Sequence, residues 1–229
     1  MLYIVSTPIG NLKDITLRAL ETLKNVSLIA AEDTRHTRKL LARYGIHTPL
    51  TSYFEHNKFV KGPQLIEQLK QGKDIALVTD SGTPGISDPG YRLIQLAIQN
   101  GIPFTALPGP SALLDALVLS GLPSDRFIFE GYLPPKSGAR KKRLKEILDE
   151  KRTVIFYESP HRLIKSLRDI QEVLGDREIA LLRELTKKFE QIIRGSAASL
   201  LEYSQKHPPK GEFVVAIKGK VQLNPNPKG

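Results

Sequence analysis

The chain has 229 residues, enough for one large or two small domains that each bury a core. Hydrophobic residues make up 40% and charged residues 25%, an ordinary globular balance with no apolar run long enough to span a membrane. Cysteine is absent, which excludes disulfides, thiolate metal sites and cysteine nucleophiles, and the net charge is +10. Met1 to Ser6 lacks the basic start and long apolar stretch of a signal peptide, so it reads as a first strand and the expected setting is cytoplasmic. Apolar runs of strand length follow at Ser27–Ala31, Ile75–Thr79 and Pro103–Leu107, with a weaker one at Leu50–Phe54. Between them Leu17, Leu20 and Leu23, then Leu40 and Leu41, then Leu65, Ile66 and Leu69 fall at helical spacing. Gly45, Gly72 and Gly101 stand where these helices should stop. Such β-α alternation predicts a parallel sheet covered by helices on both faces.

A Pro- and Gly-rich passage from Gly121 to Pro135 opens the second half. Phe127–Leu133, Thr153–Tyr157, Ile179–Arg183 and Glu212–Lys218 read as strands, and Lys136–Glu150, His161–Leu174 and Ser196–Lys206 as helices. The order is less regular, which predicts a mixed sheet. Asn224 to Gly229 reads as a disordered tail. The charge is uneven: residues 1–135 hold 13 basic and 12 acidic side chains, residues 136–229 hold 21 and 12. A one-sided positive field suits a polyanionic partner such as nucleic acid.

Asp88-Pro89, Gly109-Pro110 and Ser159-Pro160 each pair a capping residue with proline and mark helix starts. The first two follow strands, and so lie at the carboxyl edge of the sheet, where open α/β sheets bind ligands. Thr79 to Gly90 has three glycines, two prolines and two aspartates, more than a plain connection needs, and Asp80 is placed to accept hydrogen bonds from a ligand hydroxyl. The turn Thr7-Pro8-Ile9-Gly10 is neither a dinucleotide fingerprint nor a phosphate loop. Arg35, His36, Arg38 and Lys39 crowd a helix start that the helix dipole reserves for acids, which points to substrate contact. Arg140, Lys141, Lys142 and Arg143 do the same at another helix start and read as a phosphate-binding run. His36 has no second histidine at ligand spacing.

Seven strings in order resemble the tetrapyrrole-methylase-like class of S-adenosylmethionine-dependent methyltransferases, and within it the branch acting on small-subunit ribosomal RNA. They are Tyr3 to Leu12, Ala31 to Thr37, Asp80 to Pro84, Pro108 to Ala112, Gly121 to Phe127, Phe156 to Arg162 and Arg183 to Lys187. Ser81 departs from the alanine usual in the family. The resemblance implies two α/β domains, 1–113 and 114–221, followed by a tail at 222–229. The first would hold a parallel sheet, and the second a mixed sheet with the basic, RNA-docking surface. It implies S-adenosylmethionine as cofactor in the cleft between them, no metal, and a homodimer. Pro8, Ile9, Gly10, Asp80, Ser81, Gly82, Thr83, Pro84, Ser111 and Ala112 would hold the cofactor, with Tyr157, Glu158 and Gly211 from the second domain. The implied reaction is 2′-O-methylation of a cytidine in the decoding region of 16S rRNA, free or in the small subunit.

A ribose hydroxyl is a poor nucleophile, so a base or a charge stabilising the alkoxide would help. Lys187, Glu184 and Asp80 are the candidates. Arg35, Arg38, Arg140, Lys141, Lys142 and Arg143 are the candidate RNA contacts. Two alternatives are a methyltransferase of a tetrapyrrole or corrin precursor, which needs no polyanion track, and a non-catalytic RNA-binding module, which needs no elaborate Asp80–Gly90 loop.

Overall fold

The computed structural model describes residues 1–220; the expected tail at 222–229 lies outside the described residues. The chain divides into two compact units, Met1–Ser111 and a second beginning at Ala112.

In the first unit β1 (Leu2–Val5), β2 (Leu28–Ala31), β3 (Leu50–Ser52), β4 (Ile75–Val78) and β5 (Phe104–Leu107) form one sheet in the order β3-β2-β4-β1-β5. Every pairing is parallel. Strand β4 is apolar throughout because both its faces are covered. Ala76 and Val78 join α1 (Leu17–Asn25) and α2 (Thr34–Arg43) in one core cluster. Ile75 and Leu77 join α3 (Lys58–Lys70) and α4 (Gly90–Gln99) in another. The three expected stop glycines have φ of +62°, +83° and +64°. At each, the next residue's N–H reaches back to a carbonyl of the last helical turn (Ile46 to Leu41, Lys73 to Gln68, Ile102 to Ala97). Leu17 is an exception to the expected apolar stripe: it is 78% exposed at the first position of α1, and Ala19 and Leu23 make that helix's buried face.

The second unit carries a mixed sheet, as expected. It comprises β6 (Phe127–Tyr132), β7 (Thr153–Glu158), β8 (Glu178–Arg183), β9 (Gln191–Ser196) and β10 (Phe213–Ile217), in the order β6-β7-β10-β8-β9. Only β6 and β7 run parallel. One face packs on α6 (Ser137–Glu146), α7 (Pro160–Leu174) and α8 (Ala197–Lys206), through Phe156, Leu181 and Val215 among others. Helix α5 (Ala112–Ser120) packs against β7, β8 and β10.

Three sequence expectations are corrected. Strand β9 was not anticipated: its only strongly apolar residues are Ile192 and Ile193, and it is an edge strand whose side chains stay half exposed. Helix α6 ends at Glu146 rather than Glu150. Helix α5 starts two residues beyond Pro110, so Gly109-Pro110 belongs to the preceding loop.

Candidate active site

Chain direction decides where a ligand can enter the first sheet. Strand β1 feeds α1 on one face and β4 feeds α4 on the other, although β1 and β4 are neighbours. Their connections therefore diverge and leave a crevice beyond their carboxyl ends, the usual ligand position in open α/β sheets. The two loops rising from those ends are the two that carry most of the expected cofactor residues.

These loops are joined by main-chain bonds. Thr7 N–H donates to Gly82 O and Gly82 N–H to Thr7 O, each at 2.9 Å. Thr7 Oγ1 donates to Thr79 O at 3.0 Å. Ser6 Oγ donates to Leu107 O at 3.1 Å and lies 2.9 Å from Thr83 Oγ1, which adds the loop after β5. Gly109 permits that approach, since a Cβ there would meet Ser6 Cβ at 2.8 Å. Gly82 has φ +81°, beside Ile9 and the Pro110 carbonyl. Pro8, Ile9, Gly82 and Pro84 are buried, Asp80 and Thr83 half-buried, and Gly10 and Ser81 exposed. Asp88 closes the loop by accepting from Gly85 N–H at 2.9 Å and Gly90 N–H at 2.6 Å; it stands one residue before the N-cap of α4, which is Pro89 rather than the expected Asp88.

The end of β2 adds acids. Glu32 accepts from Thr79 Oγ1 at 2.5 Å, and Asp80 Oδ1 accepts from Asp33 N–H at 3.0 Å. Asp80 Oδ2 takes no hydrogen bond among the described residues. Burial pushes the Asp80 carboxyl above its ordinary pKa, and the charge of Glu32 adds to that. Asp33 caps α2 by accepting from Arg35 N–H at 2.8 Å. The Arg35 guanidinium folds back on the same carboxylate at 2.7 Å and holds its pKa far below the usual range. Arg35 is thus partnered, while Arg38 on the same helix is exposed and carries no ion pair among the described residues.

In the second unit, one end of the sheet gathers the remaining candidates. There β6, β7 and β8 end and β10 begins, with Phe213 opposite both Glu158 and Arg183. Lys187 Nζ donates to Glu184 Oε1 at 3.0 Å and to Glu212 Oε2 at 2.7 Å. Glu184 Oε1 also accepts from Glu212 N–H at 3.0 Å. Burial works against the charge on Lys187, but the two carboxylates outweigh it and raise the pKa. Burial likewise opposes the charge on Glu184, yet the Glu212 N–H and Lys187 prevail and lower it. Glu184 and Thr186 hold φ of +52° and +63°, strained values for non-glycine residues. Tyr157 packs edge-on against Tyr132 at 5.6 Å, and burial pushes its hydroxyl up to about 12. Glu158 is buried and accepts from Ser159 N–H at 2.8 Å and from Ser166 Oγ, with Arg162 beside it at 3.2 Å. Gly211 is exposed, with its backbone against the Glu184 carboxyl. Ser111 ends the first unit and Ala112 opens α5, both half-buried. Sequence reasoning missed Tyr132 and Glu212. Nothing local marks them, because only the strand register sets them beside Tyr157 and Lys187.

The basic run on α6 needs correction as a phosphate track. Arg140 is 1% exposed, pairs with Asp169 at 2.6 Å and donates to the Pro134 and Pro135 carbonyls. Arg143 is held by Glu130 at 2.6 Å, and Lys141 by Glu172 at 2.6 Å. A charge already neutralised by a carboxylate has little left for a phosphate, so of the four only Lys142 is exposed without an ion pair among the described residues.

The family described as Tetrapyrrole (Corrin/Porphyrin) Methylases matches residues 1–201. The chain belongs to that family. Among its relatives, the Haemophilus influenzae protein named ribosomal RNA small subunit methyltransferase I is 51% identical over 99% of this chain and 81% of its own length. The Thermotoga maritima protein of the same name is 47% identical over 96% of this chain and 98% of its own. The fold is shared more widely. A cobalt-precorrin-4 methyltransferase superposes with a TM-score of 0.70 at 14% identity, over 95% of this chain and 94% of that one. Uroporphyrin-III-C-methyltransferase from Thermus thermophilus gives 0.63 at 20% identity, over 94% and 93%.

Proposed function

We propose that the protein transfers a methyl group from S-adenosylmethionine to small-subunit ribosomal RNA, at the ribose 2′-hydroxyl of a cytidine in the decoding region of 16S rRNA. The depth of similarity carries this reading. Relatives named for small-subunit rRNA methylation match at 47% and 51% over nearly the whole chain, whereas tetrapyrrole and corrin methyltransferases share the fold at only 14% and 20%. The positive charge of residues 136–229 supports an RNA substrate over a small tetrapyrrole.

The first unit's loops suit the cofactor: Asp80 keeps one carboxylate oxygen without a partner among the described residues, and Gly82, at positive φ and bonded to Thr7 through both its N–H and its carbonyl, holds the two loops together beside it. Pro8, Ile9, Gly10, Ser81, Thr83, Pro84, Ser111 and Ala112 would line it, and Tyr157, Glu158 and Gly211 are the expected residues of the second unit. When bound, S-adenosylmethionine supplies a methyl already activated on a sulfonium, so the chain's task is mainly to hold and orient. Lys187, kept protonated by Glu184 and Glu212, fits as a cation stabilising charge on the reacting oxygen rather than as a base. Of the two carboxylate candidates Asp80 has its proton affinity raised, in a base's favour, and Glu184 has its lowered.

The test incubates the protein with S-adenosylmethionine and 16S rRNA or small subunits, then analyses nucleosides by mass spectrometry. 2′-O-methylcytidine is the expected product; methylation of a base, or none, refutes the reading. A homodimer belongs to the same proposal. Leu114 and Val118, one turn apart on α5, are 52% and 76% exposed, and sedimentation would report whether a second copy covers them.

A further inference from the structure

A pocket opens in the second unit on the side of the sheet that carries α7 and α8. Arg183, Gln191, Tyr203, His207, Lys210 and Phe213 are among its walls. It adjoins the Lys187 cluster along two strand ends, since Arg183 precedes Glu184 and Lys210 precedes Gly211. Tyr203 and His207 stack with centroids 4.4 Å apart and planes 22° from parallel, where α8 ends against Pro208-Pro209.

The hydrogen-bond inventory of the walls leans toward donors. Gln191 Nε2 donates to Tyr203 Oη at 3.0 Å, which leaves the phenol proton to donate elsewhere. Arg183 Nε donates to Lys210 O at 2.6 Å and Nη1 lies 3.5 Å from Gln191 Oε1, so Nη2 is uncommitted among the described residues. His207 Nδ1–H donates to Tyr203 O at 3.1 Å, which leaves Nε2 of the neutral ring as an acceptor, and Lys210 Nζ has no partner among the described residues. None of the lining residues is acidic. Spare donors, an aromatic wall and no competing carboxylate together favour a planar ligand rich in acceptors that carries negative charge. A nucleotide has that chemistry: ring carbonyls and nitrogens for the donors, a flat face for the ring pair, and a phosphate for Arg183 and Lys210.

We propose that the rim of this small pocket, whose cavity of about 50 Å³ is too small to enclose a base, captures an unpaired nucleotide of the substrate RNA by stacking on the ring pair. The inference rests on the RNA reading above. It gives the second unit a way to select a single-stranded segment, because a base within a duplex cannot leave its stack without cost.

The experiment measures anisotropy of a short, fluorescein-labelled, single-stranded oligoribonucleotide with the parent, with Tyr203→Ala combined with Lys210→Ala, and with Tyr203→Phe. The double variant should bind at least about fivefold more weakly, the scale of one lost base–aromatic stack, and Tyr203→Phe, which keeps the ring but loses the hydroxyl donor, should fall between it and the parent. S-adenosylmethionine affinity should be unchanged in both. A parent that binds RNA alongside a double variant that binds equally well overturns the pocket and leaves the RNA reading standing; a parent that binds no RNA overturns both. Should the double variant melt early, photocrosslinking of the parent to 4-thiouridine-labelled RNA decides. Crosslinks within residues 203–210 support the pocket, and crosslinks confined elsewhere overturn it.

Discussion

Gly211→Ala would test the Lys187 cluster without touching a charged side chain. Gly211 has φ +86°, where an alanine is strained by about 1–2 kcal/mol. A Cβ built there would lie 2.5 Å from Glu184 Oε1 and 2.6 Å from its Cδ, closer than any real contact. The Glu184 carboxyl must swing away, and in doing so it leaves both Lys187 Nζ and the Glu212 N–H, each now at 3.0 Å. A hydrogen bond to a charged group contributes about 1.5–3 kcal/mol, but these groups are partly open to water, which replaces much of what is lost. The net expectation is a loss of roughly 2 kcal/mol in urea unfolding. The larger consequence is kinetic: Lys187 keeps only Glu212 and its ammonium drifts. Misplaced electrostatic stabilisation should lower the single-turnover methylation rate at saturating cofactor by tenfold or more, on the order of half the effect of losing such a group outright. Parent-like stability and rate would refute the reasoning, and lost stability with a parent-like rate would remove Lys187 from catalysis.

Asp169→Ala should cost about 3–5 kcal/mol in urea unfolding by stranding the Arg140 guanidinium, and a double replacement, Arg140→Met with Asp169→Leu, should recover much of it. If single and double variants unfold alike, the pair is not the strut described. Gly82→Val and Asp80→Ala should each weaken S-adenosylmethionine binding by roughly 1–3 kcal/mol in titration calorimetry, and unchanged affinities in folded variants would move the cofactor site elsewhere. The raised Lys187 pKa makes its charge complete below the ordinary lysine value and lost only as pH rises through the higher folded value, so a pH–rate profile should show no descending limb from Lys187 between about pH 7 and 9. A limb in that range that disappears in Lys187→Arg would contradict the cationic role.

Local signals in this chain were legible where one residue type does one job. Gly45, Gly72 and Gly101 end their helices because each must adopt positive φ, and that requirement is visible in a single letter. Asp88 and Pro160 mark helix starts for the same kind of reason. Strand β9 was illegible because an edge strand buries too little to need an apolar run, and Gln191 to Ser196 alternates nothing. Strand order was illegible too, since β1 and β4 become neighbours only through crossovers that skip positions in the sheet.

The site divides along the same line. The loop from Asp80 to Pro84 announced itself by glycine and proline content, because a rigid backbone that approaches a ligand closely needs those residues. Basic side chains gave no such guarantee. Arg140 and Lys142 look alike in sequence, yet one is sealed against Asp169 and the other faces water, and only packing separates them. Charge in a sequence measures what a surface can offer only after the internal carboxylates have taken their share. Here Asp169, Glu172 and Glu130 take three of the four cations in the run. An RNA contact in the second unit is therefore better sought where cations meet no acid. The pocket of Arg183 and Lys210 comes nearest to that condition: its lining holds no acid, although Arg183 also acts on the neighbouring Glu184, and no run of letters connects the two cations.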